Sequence, residues 1–376
     1  MKTSVQIGKV MGIPIKIHIS FLFALIVFPF IFSRESVTGF ASVESVSLRY
    51  ALSLGLTVTL FFCVALHELG HSWVAKGYGI TIRSITLIIF GGIAAMEDIP
   101  RNPDAELRIS LAGPGVSLMI GVFCAVAYLT VHNIAQSLQI SLLLDVSHLL
   151  WSLAFINIML FAFNLIPAFP LDGGRVVRAW YAQRMPYLRA TRKAVHLGKI
   201  LAIAMGVFGL FASVWLLFIA FFIYIGASEE EAFTKASVTL EGIKVSDLMT
   251  RDVAFVGDTM TVLELLQVMF GKKHHVYPVT DPFTGEVVGM VVFADIQSVP
   301  MDKHNVVLVR DVMTTNIISI FDDANAIDAL QRMSMHKIGH LLVKGRLTGR
   351  VAGIVSKTDL LRSIEVLGYS ERQNTG

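Results

Sequence analysis

Thr57-Val58-Thr59-Leu60-Phe61-Phe62-Cys63-Val64-Ala65-Leu66-His67-Glu68-Leu69-Gly70-His71-Ser72-Trp73-Val74-Ala75 is an apolar run broken near its end by two histidines and a glutamate. With the residues before it, it forms a candidate span over 50–75. Crossing a bilayer takes about 20 mostly apolar residues. Charged residues in a span cost about 2.5–3.5 kcal/mol on insertion scales, so those that persist there are functional by default. In a helix, residues four apart share a face, so His67 and His71 can hold one metal ion. Glu68 lies beside them, where it can act on water held by the metal. The competing reading is a polar cluster that closes on another helix. Cys63 shares the face of His67; a free cysteine more often packs as a small apolar residue than serves as a ligand.

The rest of the chain fits a membrane setting. Of 376 residues, 54% are hydrophobic and 16% charged, and the mean hydropathy is +0.67. Ordinary soluble domains are about 25% charged. The excess apolar content stops near Gly226. Six spans are expected, at about 17–33, 50–75, 109–131, 148–168, 197–213 and 214–227. The last two share one long apolar stretch, and Gly206, Gly209 and Ser213 offer a place to turn. No small-residue cleavage site follows the first run, so it is expected to be retained.

Charge placement sets the expected orientation. Lys2, Lys9 and Lys16 precede the first span. Lys76, Arg83, Arg101 and Arg108 lie between the second and third. Seven basic residues, from Arg175 to Lys199, lie between the fourth and fifth. The opposite loops hold only Arg34 and Arg49, with no Lys or Arg from 131 to 148. Both ends are therefore expected in the cytoplasm. The basic loop after span four could also touch anionic lipid. A net charge of +3 makes no case for nucleic acid, and two cysteines offer no disulfide framework.

Two stretches alternate like strands. Ile13, Ile15, Ile17 and Ile19 are spaced by polar residues or proline. Residues 80–90 are rich in isoleucine, and Gly91-Gly92 reads as a turn. Residues 228–242, with Glu229, Glu230 and Glu231, read as a linker. An internal repeat follows at an offset of 64 residues. Asp247-Leu248-Met249-Thr250 returns as Asp311-Val312-Met313-Thr314. Gly289 and Asp295 return as Gly353 and Asp359.

Catalytic zinc keeps three protein ligands and one open position. The best third ligand is Asp172, in Leu171-Asp172-Gly173-Gly174-Arg175. Pro167 and Pro170 break the helix before it. His67 lies nine residues before Lys76, about 14 Å at 1.5 Å per residue, so an unwound segment after Pro167 could carry Asp172 back to the histidines. The alternative is a glycine turn capped by an aspartate.

His67-Glu68-Leu69-Gly70-His71 and Asn164-Leu165-Ile166-Pro167-Ala168-Phe169-Pro170-Leu171-Asp172-Gly173-Gly174, with Gly91-Gly92 and Ala112-Gly113-Pro114, resemble the site-2 protease family of intramembrane zinc metalloproteases, in its subgroup with a C-terminal pair of CBS domains. The resemblance implies one catalytic Zn2+ on His67, His71 and Asp172, with Glu68 as general base. It implies that Asn164 contacts the substrate or the transition state. Asn157, two turns earlier, orients substrate or links helices. A substrate helix must unwind to be cut, and the membrane-dipping segment 85–96, with Gly91 and Gly92, is expected either to receive it as an added strand or to be a structural hairpin. The repeat resembles CBS domains that bind adenosyl ligands. Its second half has Gly353, Ser356 and Asp359 for a nucleotide. The first keeps Asp295 but has Val292 where the hydroxyl belongs. The pair is otherwise a dimerisation module that would make a homodimer.

The expected architecture is thus a polytopic α-helical membrane protein with a small membrane-associated β-sheet, plus a soluble α/β tandem CBS domain. The expected parts are a membrane-embedded protease over 1–227, a linker over 228–242, and CBS halves at 243–300 and 301–376. The expected partners are membrane-spanning protein substrates, the bilayer and an adenine nucleotide. The competing class is a membrane ion transporter with a CBS regulator. Transporters often carry broken helices in both halves, whereas this chain shows one broken helix and no repeat in its membrane part.

Overall fold

Alternating isoleucines at the start of the chain build strands. The computed structural model describes residues 4–89, 91–96, 101–272 and 274–373. The chain divides into two units, Met1–Ala232 and Phe233–Gly376. In the first, β1 (Ser4–Val10) and β2 (Ile13–His18) form a hairpin through Met11 and Gly12, both at positive φ. Ile13 and Ile15 turn inward to the core, as the period of two requires. Helix α1 (Ile19–Phe32) follows, then α2 (Val46–Gly77), then β3 (Ile82–Ile88) and β4 (Gly91–Met96). The sheet order is β1-β2-β3-β4, with β2 and β3 parallel. Ile13, Ile15, Ile82 and Ile85 pack with Ala75 of α2 and Ile109 of the next helix. The sheet is thereby anchored on the helix that carries the two histidines.

Gly91 and Gly92 do not form the turn expected of them. They open β4, opposite Ile88 and Leu87, and Gly91 has a φ of +139°, where a side chain would be strained. The chain reverses before them; Phe90 lies outside the described residues. Strand β3 is paired on both sides, so β4 and β1 carry the sheet's edges.

Helices α3 (Pro103–Leu138), α4 (Ser141–Asn164), α5 (Asp172–Ala182), α6 (Tyr187–Ala212) and α7 (Val214–Thr239) complete the first unit and enter the second. Among the described residues, four helices are long and apolar enough to cross a bilayer: α2, α3, α4 and α6. The unit has the build of a multi-pass membrane protein with four such spans, not six. Helix α1 has 14 residues, about 21 Å of rise against an apolar slab of about 30 Å. Helix α7 loses its apolar character at Glu229, Glu230 and Glu231. Ser213 separates α6 from α7. Helix α4 ends at Asn164, four residues short of the expected boundary, because Pro167 disfavours helical backbone at the residue before it. The stretch 228–242 is helical as far as Thr239.

The second unit contains α8 (Val245–Leu248), β5 (Val256–Gly257), α9 (Val262–Lys272), β6 (Val276–Thr280), β7 (Val287–Val292) and α10 (Phe293–Gln297). The order then repeats as α11 (Val309–Val312), β8 (Ser319–Phe321), α12 (Ala326–His336), β9 (His340–Lys344), β10 (Val351–Ser356) and α13 (Lys357–Gln373). Each half makes a three-stranded sheet with one parallel and one antiparallel pairing. The repeated motifs reach across: Thr250 bridges Ile354, and Thr314 bridges Met290. These two bridges are related by the 64-residue offset, so the halves sit about a pseudo-twofold axis.

Candidate metal centre

Residues 105 positions apart meet in one cluster: His67 and His71 of α2, both buried, and Asp172, half-buried at the start of α5. The Nε2 atoms of the histidines are 3.2 Å apart. Asp172 Oδ2 lies 3.4 Å from His67 Nε2 and 3.2 Å from His71 Nε2. Zinc bonds of about 2.0–2.2 Å place the donors of a tetrahedral ion about 3.3–3.6 Å apart. The observed triangle is close to one face of that tetrahedron.

The outer nitrogens explain the direction of the inner ones. His71 Nδ1 is 2.7 Å from the carbonyl oxygen of Ile109. A carbonyl only accepts, so Nδ1 donates, and the Nε2 of a neutral His71 presents a lone pair. His67 Nδ1 is 2.9 Å from Ser117 Oγ, a fully buried hydroxyl on α3. The His71 lone pair, His67 Nε2 and the Asp172 carboxylate converge at van der Waals distance, an arrangement that a cation between them would satisfy. The cluster can hold a metal ion, and its nitrogen and oxygen donors suit zinc.

Local sequence explains how Asp172 arrives. After α4 the chain runs through residues 165–171 without regular structure, and Asp172 begins α5. Gly173 and Gly174 lie so close to the main chain of Leu165, Ile166, Ala168 and Phe169 that a Cβ on either would collide with it. The loop and helix close onto each other because both residues lack side chains.

Two further glycines make room for the site. A Cβ on Gly113 of α3 would lie 2.6 Å from Cδ2 and Cε1 of His71. A Cβ on Gly92 would lie 2.5 Å from Cγ of Glu68 and 3.3 Å from its Oε1. Glu68 thus lies against edge strand β4, one residue along α2 from His67.

The asparagines are placed differently. Asn164, at the end of α4, donates to Leu160 O at 3.0 Å. Asn157 is fully buried and donates to Leu153 O at 2.8 Å. Among the described residues, neither asparagine is hydrogen-bonded to the cluster. Gly91 lies in β4 and touches no side chain at the site.

Sequence reasoning missed Ser117 and the space-making role of Gly113. Both stand in the apolar run Ala112-Gly113-Pro114-Gly115-Val116-Ser117, where a hydroxyl one turn after a glycine was the available signal. It also missed Arg178. This guanidinium is 4% exposed and bonds Glu106 of α3 through Nε at 2.8 Å, and Glu230 of α7 through Nη1. Burial works against its charge, but the two carboxylates outweigh that and hold it protonated.

In the second unit, Ser356 Oγ donates to Asp359 Oδ2 at 2.5 Å, and Asp359 N–H returns a bond to Ser356 Oγ. Asp295 instead accepts from the Val292 N–H at 2.9 Å. The two halves therefore differ where the hydroxyl is missing. His340 pairs with Ser356 across the strands. Burial pushes its imidazole below the ordinary value, against the pull of Asp359.

Residues 55–143 and 130–205 match the model of peptidase family M50. Residues 245–302 and 309–366 each match the CBS domain. The chain is 36% identical over 372 residues to a zinc metalloprotease of Methanocaldococcus jannaschii, with 99% of each chain covered. It is 29% identical over 392 residues to a Mycobacterium tuberculosis relative assigned as the zinc metalloprotease Rip3, covering all of this chain and 96% of that one. The solved structure of a site-2 protease from M. jannaschii is similar at 37% identity, covering 61% of this chain and 95% of that one with a TM-score of 0.42.

Proposed function

We propose that this chain, which belongs to peptidase family M50, is a zinc endopeptidase that hydrolyses peptide bonds of membrane-spanning proteins within or beside the bilayer. The observation that carries this is the triangle of His67, His71 and Asp172 with Glu68 next along the helix. Zinc bound there supplies a Lewis acid that polarises the scissile carbonyl and makes water nucleophilic near neutral pH.

The chain's own residues do the rest. Ser117 and the Ile109 carbonyl hold the imidazoles with Nε2 inward. Glu68 takes the proton of the attacking water and returns it to the leaving amine. Asn164 gives one N–H of its amide to Leu160, which leaves the second N–H to serve the developing oxyanion. Asn157 acts within the helix bundle. Strand β4 is an edge beside Glu68, which supports its taking an unwound substrate as a fifth strand. Gly92 keeps that edge close to the base, and Gly91 opens the strand at a positive φ.

The basic loops are cytoplasmic in this reading, and so are both ends and the CBS pair. Residues 1–227 form the protease, 228–242 the connection, and 243–300 and 301–376 the two halves. The second half holds an adenine nucleotide at Ser356 and Asp359; Asp295 is a weaker site, without the hydroxyl. Nucleotide binding shifts the proteolytic rate, and the pair also offers a homodimer contact.

The test is zinc stoichiometry and cleavage of a membrane-spanning peptide by purified full-length protein. Glu68→Gln should keep zinc and lower cleavage about 10²–10⁴-fold, the usual worth of a general base. Asp172→Ala should lose both. Full activity of Glu68→Gln would overturn the mechanism.

A further inference from the structure

Asp172 stands on a short helix after an irregular loop, yet a metal ligand has to be held within a few tenths of an ångström. Helices α6 and α7 both pack on that loop, α6 through Ala194, Val195 and Ala202. Ile223 packs with Ala168 and Leu171, and Ala227 packs with Phe169, all of them buried. A Cβ on Gly226 would lie 2.5 Å from Cδ of Pro170, so α7 rests directly on the loop. One turn further, Glu230 bonds Nη1 of Arg178 on α5. Residues 223, 226, 227 and 230 form one face of α7 by helical spacing.

Arg178 has a second anchor on α3. Its Nε donates to Glu106 Oε1 at 2.8 Å, and its guanidinium lies 4.8 Å from the Phe169 ring and 4.9 Å from the Tyr187 ring. Glu106 is one turn from Ile109, whose carbonyl receives His71 Nδ1. The same turn of α3 therefore fixes one histidine ligand and, through Arg178, the helix that bears the aspartate ligand.

We propose that Arg178 is a positioning residue for Asp172, with Glu106 and Glu230 as its two anchors, so that α7 is part of the machinery that sets the metal site. The inference rests on the zinc reading above. Arg178 does not approach the reacting atoms. Its forked guanidinium bridges two carboxylates on different helices, which a lysine ammonium cannot reproduce with the same fixed geometry.

The experiment uses the purified full chain loaded with zinc. Its readouts are the rate of zinc loss to a chelator, kcat and KM on a membrane-spanning peptide, and the thermal melt. Outer partners of metal ligands are typically worth 10–100-fold in metal affinity or activity. Glu230→Gln should accelerate zinc loss about 10-fold and lower kcat with KM within about twofold. Arg178→Met should act more strongly, and Arg178→Lys should recover part of the loss. Glu231→Gln is the control: Glu231 pairs with Lys199 at 3.4 Å, more exposed and away from α5, and its loss should leave zinc retention unchanged. If Arg178→Met does not fold, Glu230→Gln against Glu231→Gln still decides. Equal zinc retention by Glu230→Gln and wild type overturns the proposal, as does equal loss by both glutamate variants. Wild-type protein that binds no zinc would instead overturn the zinc reading itself.

Discussion

Adding one methyl group at Gly113 should disable the metal site. A Cβ there would stand 2.6 Å from two ring carbons of His71, whereas ordinary contact begins at 3.4 Å, and it would come nearer still to Nε2. The ring has to retreat by more than about 0.8 Å, the shift that the two carbons alone require, or α3 has to move away. The ring has little freedom, because Nδ1 is tied to Ile109 O on the same helix at 2.7 Å. A retreat of that size stretches a zinc–nitrogen bond of about 2.0–2.1 Å beyond its working range. A loss of 10–100-fold in zinc affinity is the floor, since that is the worth of an outer partner alone; it corresponds to about 1.4–2.8 kcal/mol. Helix propensity works the other way, because alanine is better than glycine in a helix by about 1 kcal/mol. The melt of Gly113→Ala should therefore fall little while zinc affinity collapses. Metal analysis after dialysis against a graded chelator, with cleavage measured on the same samples, reads this directly. Stoichiometric zinc and wild-type cleavage in Gly113→Ala would refute the placement of His71 against α3.

Two other outcomes are expected. A proline scan of residues 93–95 should reduce cleavage at alternate positions with zinc content unchanged, because only alternate N–H groups face the free edge of β4; cleavage unaffected throughout would make β4 structural only. ATP, ADP or AMP should change the cleavage rate of the full chain, with the effect lost in Asp359→Ala and largely kept in Asp295→Ala; calorimetry showing no nucleotide binding would leave the second unit as a dimerisation module.

Much of this was readable in one dimension, for reasons that can be stated. His67 and His71 are four residues apart on one helix, so their convergence follows from helical pitch alone. The 64-residue repeat follows from self-similarity, and the structure gives both halves the same strand order. Ser213 was readable as a break because the apolar run exceeds one span. The count of spans was not readable. Hydropathy sees the apolar residues of α1 and α7, but the helix lengths and the acidic cluster in α7 decide which segments have crossing dimensions. The Gly91-Gly92 turn failed for a different reason: glycine marks a special backbone position, and here that position is the opening of an edge strand.

The sequence by itself determined the side chains on offer: two imidazoles, a carboxylate beside them, and an aspartate after a broken helix. Tertiary structure decided which atoms of those residues face one another. The approach of Asp172 to the histidines depends on two glycines that admit the loop, on a serine and a carbonyl that turn the imidazoles, and on Arg178 between two helices. None of these has a spacing rule that ties it to the ligands. They act through close packing of segments far apart in the chain, and packing of that kind leaves no period in a sequence.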